Sequence, residues 1–288
     1  MFSTEKSSRN ALILSMCIFG TIGILRRFIP LSSSLVALVR GVVGAAFLLL
    51  VILVRRQRPD WDAVKSNLTL LLLSGTAIGF NWILLFEAYN YTSVATATLC
   101  YYLAPILVIL AAPLVLKEKL TGKKAVCAAV ALAGMVLVSG ILESEGGKSG
   151  QMKGVICGVG AAVLYASVIL MNKKMKPISA YDKTILQLVV ASVALVPYVL
   201  LTEDWPQVQI SALSAVLLLV AGVVHTGLTY WMYFGSMAKL KAQTVALFSY
   251  IDPILAIVLS MVVLKEPMSI LSAMGAVMIL GAAYVSEK

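Results

Sequence analysis

Charge is scarce in this sequence and histidine almost absent: Asp, Glu, Lys and Arg make up 12% of 288 residues, and His225 stands alone. One histidine excludes a site built on several. No GxxxxGK[ST], HExxH or GxSxG occurs, so P-loop nucleotide hydrolysis, zinc peptidase and serine hydrolase chemistry have no foothold. The four cysteines, Cys17, Cys100, Cys127 and Cys157, show no paired spacing and fall within apolar runs, where they read as small packing residues. Neither a cofactor nor a metal is expected.

What fills the chain is apolar. With 60% hydrophobic residues and a mean hydropathy of +0.97, it has more apolar surface than a globule could keep from water. Spans of about 20 residues, divided by short charged or turn-rich joints, read at 10–25, 33–54, 68–87, 93–115, 124–141, 153–171, 184–201, 211–233, 243–264 and 269–285. The expected fold is an all-α membrane protein of ten transmembrane helices, the first one short. That opening segment lacks a small-residue cleavage site and is followed by Arg26 and Arg27, so it reads as a retained span rather than a signal peptide.

Lysine and arginine set the orientation, because cytoplasmic loops retain positive charge. With the N-terminus inside, seventeen basic residues fall on the cytoplasmic side and five outside (Arg26, Arg27, Lys148, Lys153 and Lys265), with Arg40 within a span. Both termini are therefore expected to be cytoplasmic. The net charge of +10 is a topology signal, since basic residues spread over separate short joints do not make a nucleic-acid surface.

The chain also repeats itself. At an ungapped offset of 148, residues 93–118 (SVATATLCYYLAPILVILAAPLVLKE) align with 241–266 (KAQTVALFSYIDPILAIVLSMVVLKE), and eleven of 26 positions are identical. The same offset pairs Gly79 with Gly227 and Phe86 with Phe234. This divides the chain into five-helix halves, 1–142 and 152–288, joined by a polar linker at 143–151. Five is odd, so the second half enters the membrane inverted. Inverted repeats place a substrate site near the midplane between the halves and reach it from either side by rocking.

The stretches FEAYNYTSVATATLCYYLAPILVILAAPLVLKEKLT and YFGSMAKLKAQTVALFSYIDPILAIVLSMVVLKEP resemble the two signature segments of the drug/metabolite transporter superfamily, EamA branch. The resemblance covers nearly the whole chain. It implies a ten-helix, multi-pass secondary transporter of the bacterial inner membrane, often an exporter of amino acids, other metabolites or drugs. On this resemblance Pro105 and Pro253 are the family's mid-helix prolines and Glu118 and Glu266 its repeat-end glutamates. Arg40 matches an arginine near the start of the second helix. The second repeat departs from the pattern, with no arginine near Gln187 and with Ala104 standing opposite Asp252.

Each proline should leave the carbonyl four residues earlier, of Tyr101 or Ser249, without its helical partner, which makes either a static kink or a moving hinge. Asp252 lies near the middle of its span, where a carboxylate costs about 3 kcal/mol. An intramembrane acid is a cation ligand or proton carrier by default, and a hydrogen-bonded structural residue otherwise. Tyr102, Tyr250, Trp82, Tyr230 and Trp231 are candidates to line a cavity, where aromatic faces beside a carboxylate suit an organic cation or the ammonium end of a zwitterion; each has core packing as its alternative. Asn81 and His225 lie at cavity depth, and either could equally bond a neighbouring helix. Arg40 could hold a substrate carboxylate or snorkel to the interface. Glu87 reads as an exposed rim charge.

Secondary transport of a small molecule, with protons as a candidate coupling ion, by a monomer or homodimer in the bilayer fits these features. A membrane enzyme would need catalytic groups clustered at one depth, which the chain lacks. A non-transporting receptor or scaffold would need no midplane cavity. A sugar-phosphate or nucleotide-sugar antiporter would call for several intramembrane cations, and Arg40 is the one plainly there. The orientation is testable: Lys123→Cys in a cysteine-free background should resist an impermeant thiol reagent applied to intact cells, and external labelling would overturn the inverted arrangement.

Overall fold

The structure is a computed structural model that describes residues 4–56, 59–117, 119–139, 149–237, 240 and 242–287. Among these residues there are only helices. In order they are α1 (Glu5–Gly20), α2 (Ile22–Arg27), α3 (Ser33–Val54), α4 (Trp61–Ser66), α5 (Leu68–Tyr91), α6 (Val94–Tyr101), α7 (Ala104–Val115), α8 (Gly122–Val138), α9 (Ser149–Lys174), α10 (Ala180–Thr202), α11 (Ala212–Gly222), α12 (Thr229–Met237), α13 (Ala242–Ser249), α14 (Ile251–Val262) and α15 (Ile270–Glu287).

These make ten passes at the places read from the sequence, four of them assembled from two helices end to end. Seven segments are long and apolar enough to cross a membrane, while Ile251–Val262 and Ile270–Ser286 are shorter apolar helices. The first pass corrects the expectation of a short span: it runs Glu5–Arg27, 23 residues, and is interrupted at Thr21. Hydroxyl residues start the helices. Thr4, Ser32, Ser93, Thr121, Ser179 and Ser211 each accept a backbone N–H from the first turn of the helix that follows, satisfying donors that lipid could not.

Bonds between helix ends give the direction of each pass. Ser33 donates to Glu87, Ser32 to Glu203, Arg27 to Glu266, and Lys153 to Tyr91. One end of the bundle therefore holds the exits of the first, third, seventh and ninth passes and the entries of the second and sixth. At the other, Asn67 pairs with the backbone of Lys176 through bonds of 2.8 and 3.2 Å. The first pass runs toward the Glu266 end and its counterpart, α9, runs away from it. The halves are inverted.

Packing obeys the same exchange. α5 lies on α9 as α12 lies on α1; α5 on α10 mirrors α3 on α11 and the segment that follows it; α3 on α10, α6 on α14 and α8 on α15 map onto themselves. In the α8–α15 pair the backbones touch. A Cβ on Gly275 would fall 2.5 Å from the Gly134 carbonyl oxygen, and one on Gly134 2.9 Å from that of Gly275, so neither side chain can grow without separating the helices.

The breaks in the passes revise the proline reading. Neither Pro105 nor Pro253 is inside a continuous helix. α6 ends before Tyr102 and α7 restarts with Pro105 in its first turn; α13 ends before Tyr250 and α14 restarts with Pro253 in its first turn. A proline there removes an N–H that has no intrahelical partner in any case. The repeated LKE is a turn signal as well: Lys117 and Lys265 have φ of 59° and 54°, the left-handed conformation that ends a helix.

Candidate functional site

The broken passes α6–α7 and α13–α14 meet where each is interrupted. From the break in the first half, the Tyr102 hydroxyl donates 2.8 Å to Asp252 Oδ2 and lies 3.4 Å from the Ser249 carbonyl oxygen. That carbonyl is the one Pro253 is expected to strand, and the hydroxyl of the other repeat lies beside it while its proton goes to Asp252. Asp252 occupies the first turn of α14, where the positive end of a helix favours a carboxylate. Gly20 lets the end of α1 press against the same turn: a Cβ there would stand 2.8 Å from the Asp252 carbonyl oxygen.

Around this pair is an aromatic wall. Tyr101 stacks on Tyr165 with centroids 5.3 Å apart and meets Tyr102 edge-on at 6.3 Å. Phe19 packs on Tyr230 at 5.5 Å and Tyr233 at 6.3 Å. Tyr165 is the most exposed ring of this wall. It shares a face of α9 with Gly158, Ala161 and Ala162, all buried against neighbouring helices, yet it is 39% exposed.

Arg40 lies beyond this wall and does not snorkel. It is 5% exposed, its Nε donates 2.7 Å to Thr226 Oγ1, and its guanidinium sits 4.6 Å over Trp82 and 5.6 Å over Phe86. Cation–π contact and one hydrogen bond hold it; among the described residues no carboxylate pairs with it. Thr226 and His225 belong to a π-helical turn, Val223–Leu228, within the eighth pass. His225 is 5% exposed, and its Nε2 is 2.9 Å from Thr21 Oγ1 at the break between α1 and α2.

Other candidates fall elsewhere. Asn81, 2% exposed, donates 2.6 Å to the Ala161 carbonyl and ties α5 to α9. Trp231 lies toward the Lys176 end, with Arg55 at 5.4 Å and its carbonyl accepting from Tyr181. Tyr250 packs edge-on against Tyr284 at 5.9 Å, on the α15 side of its helix. Glu87 is not a free rim charge, since it accepts from Ser33 at 2.7 Å and Asn90 at 3.1 Å. Glu266 accepts from Arg27 at the end of the ninth pass. Glu118 lies outside the described residues.

The profile of the EamA-like transporter family matches this chain twice, over residues 10–140 and 152–287. The chain belongs to the EamA-like transporter family. It is 30% identical over 268 residues to the protein named Uncharacterized transporter YxxF of Bacillus subtilis (strain 168), covering 93% of this chain and 85% of that protein. It is 26% identical to Protein RarD of Salmonella typhimurium, over 88% of this chain and 86% of that one. A solved crystal structure superposes with a TM-score of 0.65 at 18% identity, covering 98% of this chain and 96% of that one, which shows a shared fold.

This EamA-like transporter is thus a multi-pass membrane protein, and its polar interior holds residues that sequence reasoning passed over. Thr21 follows Gly20 and stands two residues before Gly23, a cue that the first helix would break. Thr226 adjoins His225, but a π turn leaves no periodic mark short enough to notice. Asn81 gives a test that separates scaffold from site: Asn81→Leu should lower thermal stability by about 1 kcal/mol, the scale of an interhelical hydrogen bond in a membrane, while leaving ligand affinity per folded molecule unchanged. Differential scanning fluorimetry with and without ligand reads both.

Proposed function

We propose that this EamA-like transporter is a secondary active exporter of small metabolites carrying a positive group, amino acids or related amines and drugs, working by alternating access with Asp252 at the binding point. The observation that supports this reading is the Asp252 carboxylate, held by Tyr102 of the opposite half and bordered by aromatic rings of which Tyr165 is 39% exposed. An ammonium group gains there from the carboxylate and from the ring faces together. Arg40, a cation without a carboxylate partner among the described residues, lies across the tyrosines and suits the acidic end of a zwitterion. One such cation is too few for a phosphorylated ligand, which disfavours the sugar-phosphate antiporter. The basic residues favour an inside Lys176 end, with both termini cytoplasmic. In the same scheme the paired breaks before Pro105 and Pro253 are hinges, and the repeats divide at the 143–151 joint.

Two experiments test this. Asp252→Asn keeps shape and hydrogen bonding while removing charge and titration. In proteoliposomes it should weaken binding of a cationic substrate by about 1–3 kcal/mol, or, where the proton is the ligand, abolish pH-driven transport while sparing exchange. Binding and pH dependence equal to wild type would make the aspartate structural. For the hinges, Pro105→Ala and Pro253→Ala should change turnover more than affinity, because each lets a broken pass become continuous; unchanged turnover in both variants would reduce the breaks to fixed kinks.

A further inference from the structure

Glu266 follows the left-handed turn at Lys265, which folds the chain back over the end of α14. Its carboxylate accepts from Arg27 Nη2 at 2.6 Å, from the Val94 N–H at 2.8 Å, and from the Ser260 hydroxyl. Arg27 Nη2 donates in addition to the Thr92 carbonyl, 2.8 Å away. One carboxylate thereby gathers the exit of the first pass, the entry of the fourth and the exit of the ninth. Those passes carry Phe19, Tyr101 and Asp252, three parts of the inner wall. The contact also crosses between repeats, joining residues of the first half to the last turn of α14. Tyr165, 39% exposed, lies beyond the middle of α9 toward the Lys176 end, away from this knot.

We propose that the Arg27–Glu266 ion pair is the lock that keeps the inner space closed at this end, and that access to Asp252 from this side requires its release. The proposal rests on the alternating-access reading above. The pair is built to open. Its side chains retain 30% and 17% exposure, and both border a cavity of about 660 Å³ lined also by Asn90, Ser93, Thr96 and Ser269. Separated charges there find water and hydroxyls, so parting costs far less than for a pair sealed in the core. The hydrogen bond to Val94 caps α6 independently of charge, which distinguishes lock from cap.

The test is the distance between spin labels at Phe28 and Val263, exposed positions beside the two halves of the lock, measured by pulsed electron paramagnetic resonance in nanodiscs without substrate. Wild type should give mainly one short distance. Glu266→Gln keeps an acceptor for Val94, and Arg27→Gln leaves the cap untouched. Each should raise the long-distance population about five-fold, the scale of a partly exposed ion pair, with melting temperatures showing that both variants are folded. Distributions identical to wild type in both would overturn the proposal, as would a change in Glu266→Gln alone, which would assign the effect to hydrogen bonding at the helix end. Because no substrate enters this measurement, a failure of the Asp252 reading leaves its result standing, and the two can be told apart.

Discussion

A carboxylate at the depth of Asp252 must be compensated from within the protein, because the hydrocarbon around the bundle offers neither water nor counter-ions. The chain meets this demand by interrupting two helices at the same level. The break before α14 places Asp252 at a helix start, where exposed N–H groups favour negative charge, and the break after α6 frees Tyr102 to donate from the other half. Much of the surrounding architecture accommodates this crossing. Gly20 brings α1 against the turn that carries Asp252, and Arg40 is kept at a distance by aromatic faces instead of pairing with the acid. An Arg40–Asp252 ion pair would have quenched both charges.

Passes, repeat and inversion were legible in the sequence because each is written redundantly: hydrophobic runs of the right length, an offset of 148 recurring in three places, and an odd number of spans per half. The interior was harder to read. Depth along a helix follows from counting, but azimuth does not when nearly every face is apolar. That is why the contacts of Asn81 with Ala161, of Tyr250 with Tyr284 and of Trp231 with Arg55 could not be read from the sequence. Helix breaks were misread for a related reason. Proline signals an irregularity without saying on which side of it the helix stops, and the structure stops it before Pro105 and Pro253. The interruption at Thr21 and the π turn around His225 belong to one contact, and neither half of it predicts the other from sequence.

The halves share a backbone plan but not a set of polar side chains. Ala104 stands where the offset would put a second Asp252, and Ile169 and Ala77 stand where it would put a second Thr21 and a second His225. In a protein that alternates by exchanging the conformations of two inverted halves, identical sequences would make the two facing states degenerate in free energy. Every departure from identity lifts that degeneracy. The resting bias of such a molecule is then carried by a few unmatched side chains rather than by its helices. A duplicate of the first half fused to itself would keep the topology and the LKE turns, yet have no energetic reason to prefer one face of the membrane to the other.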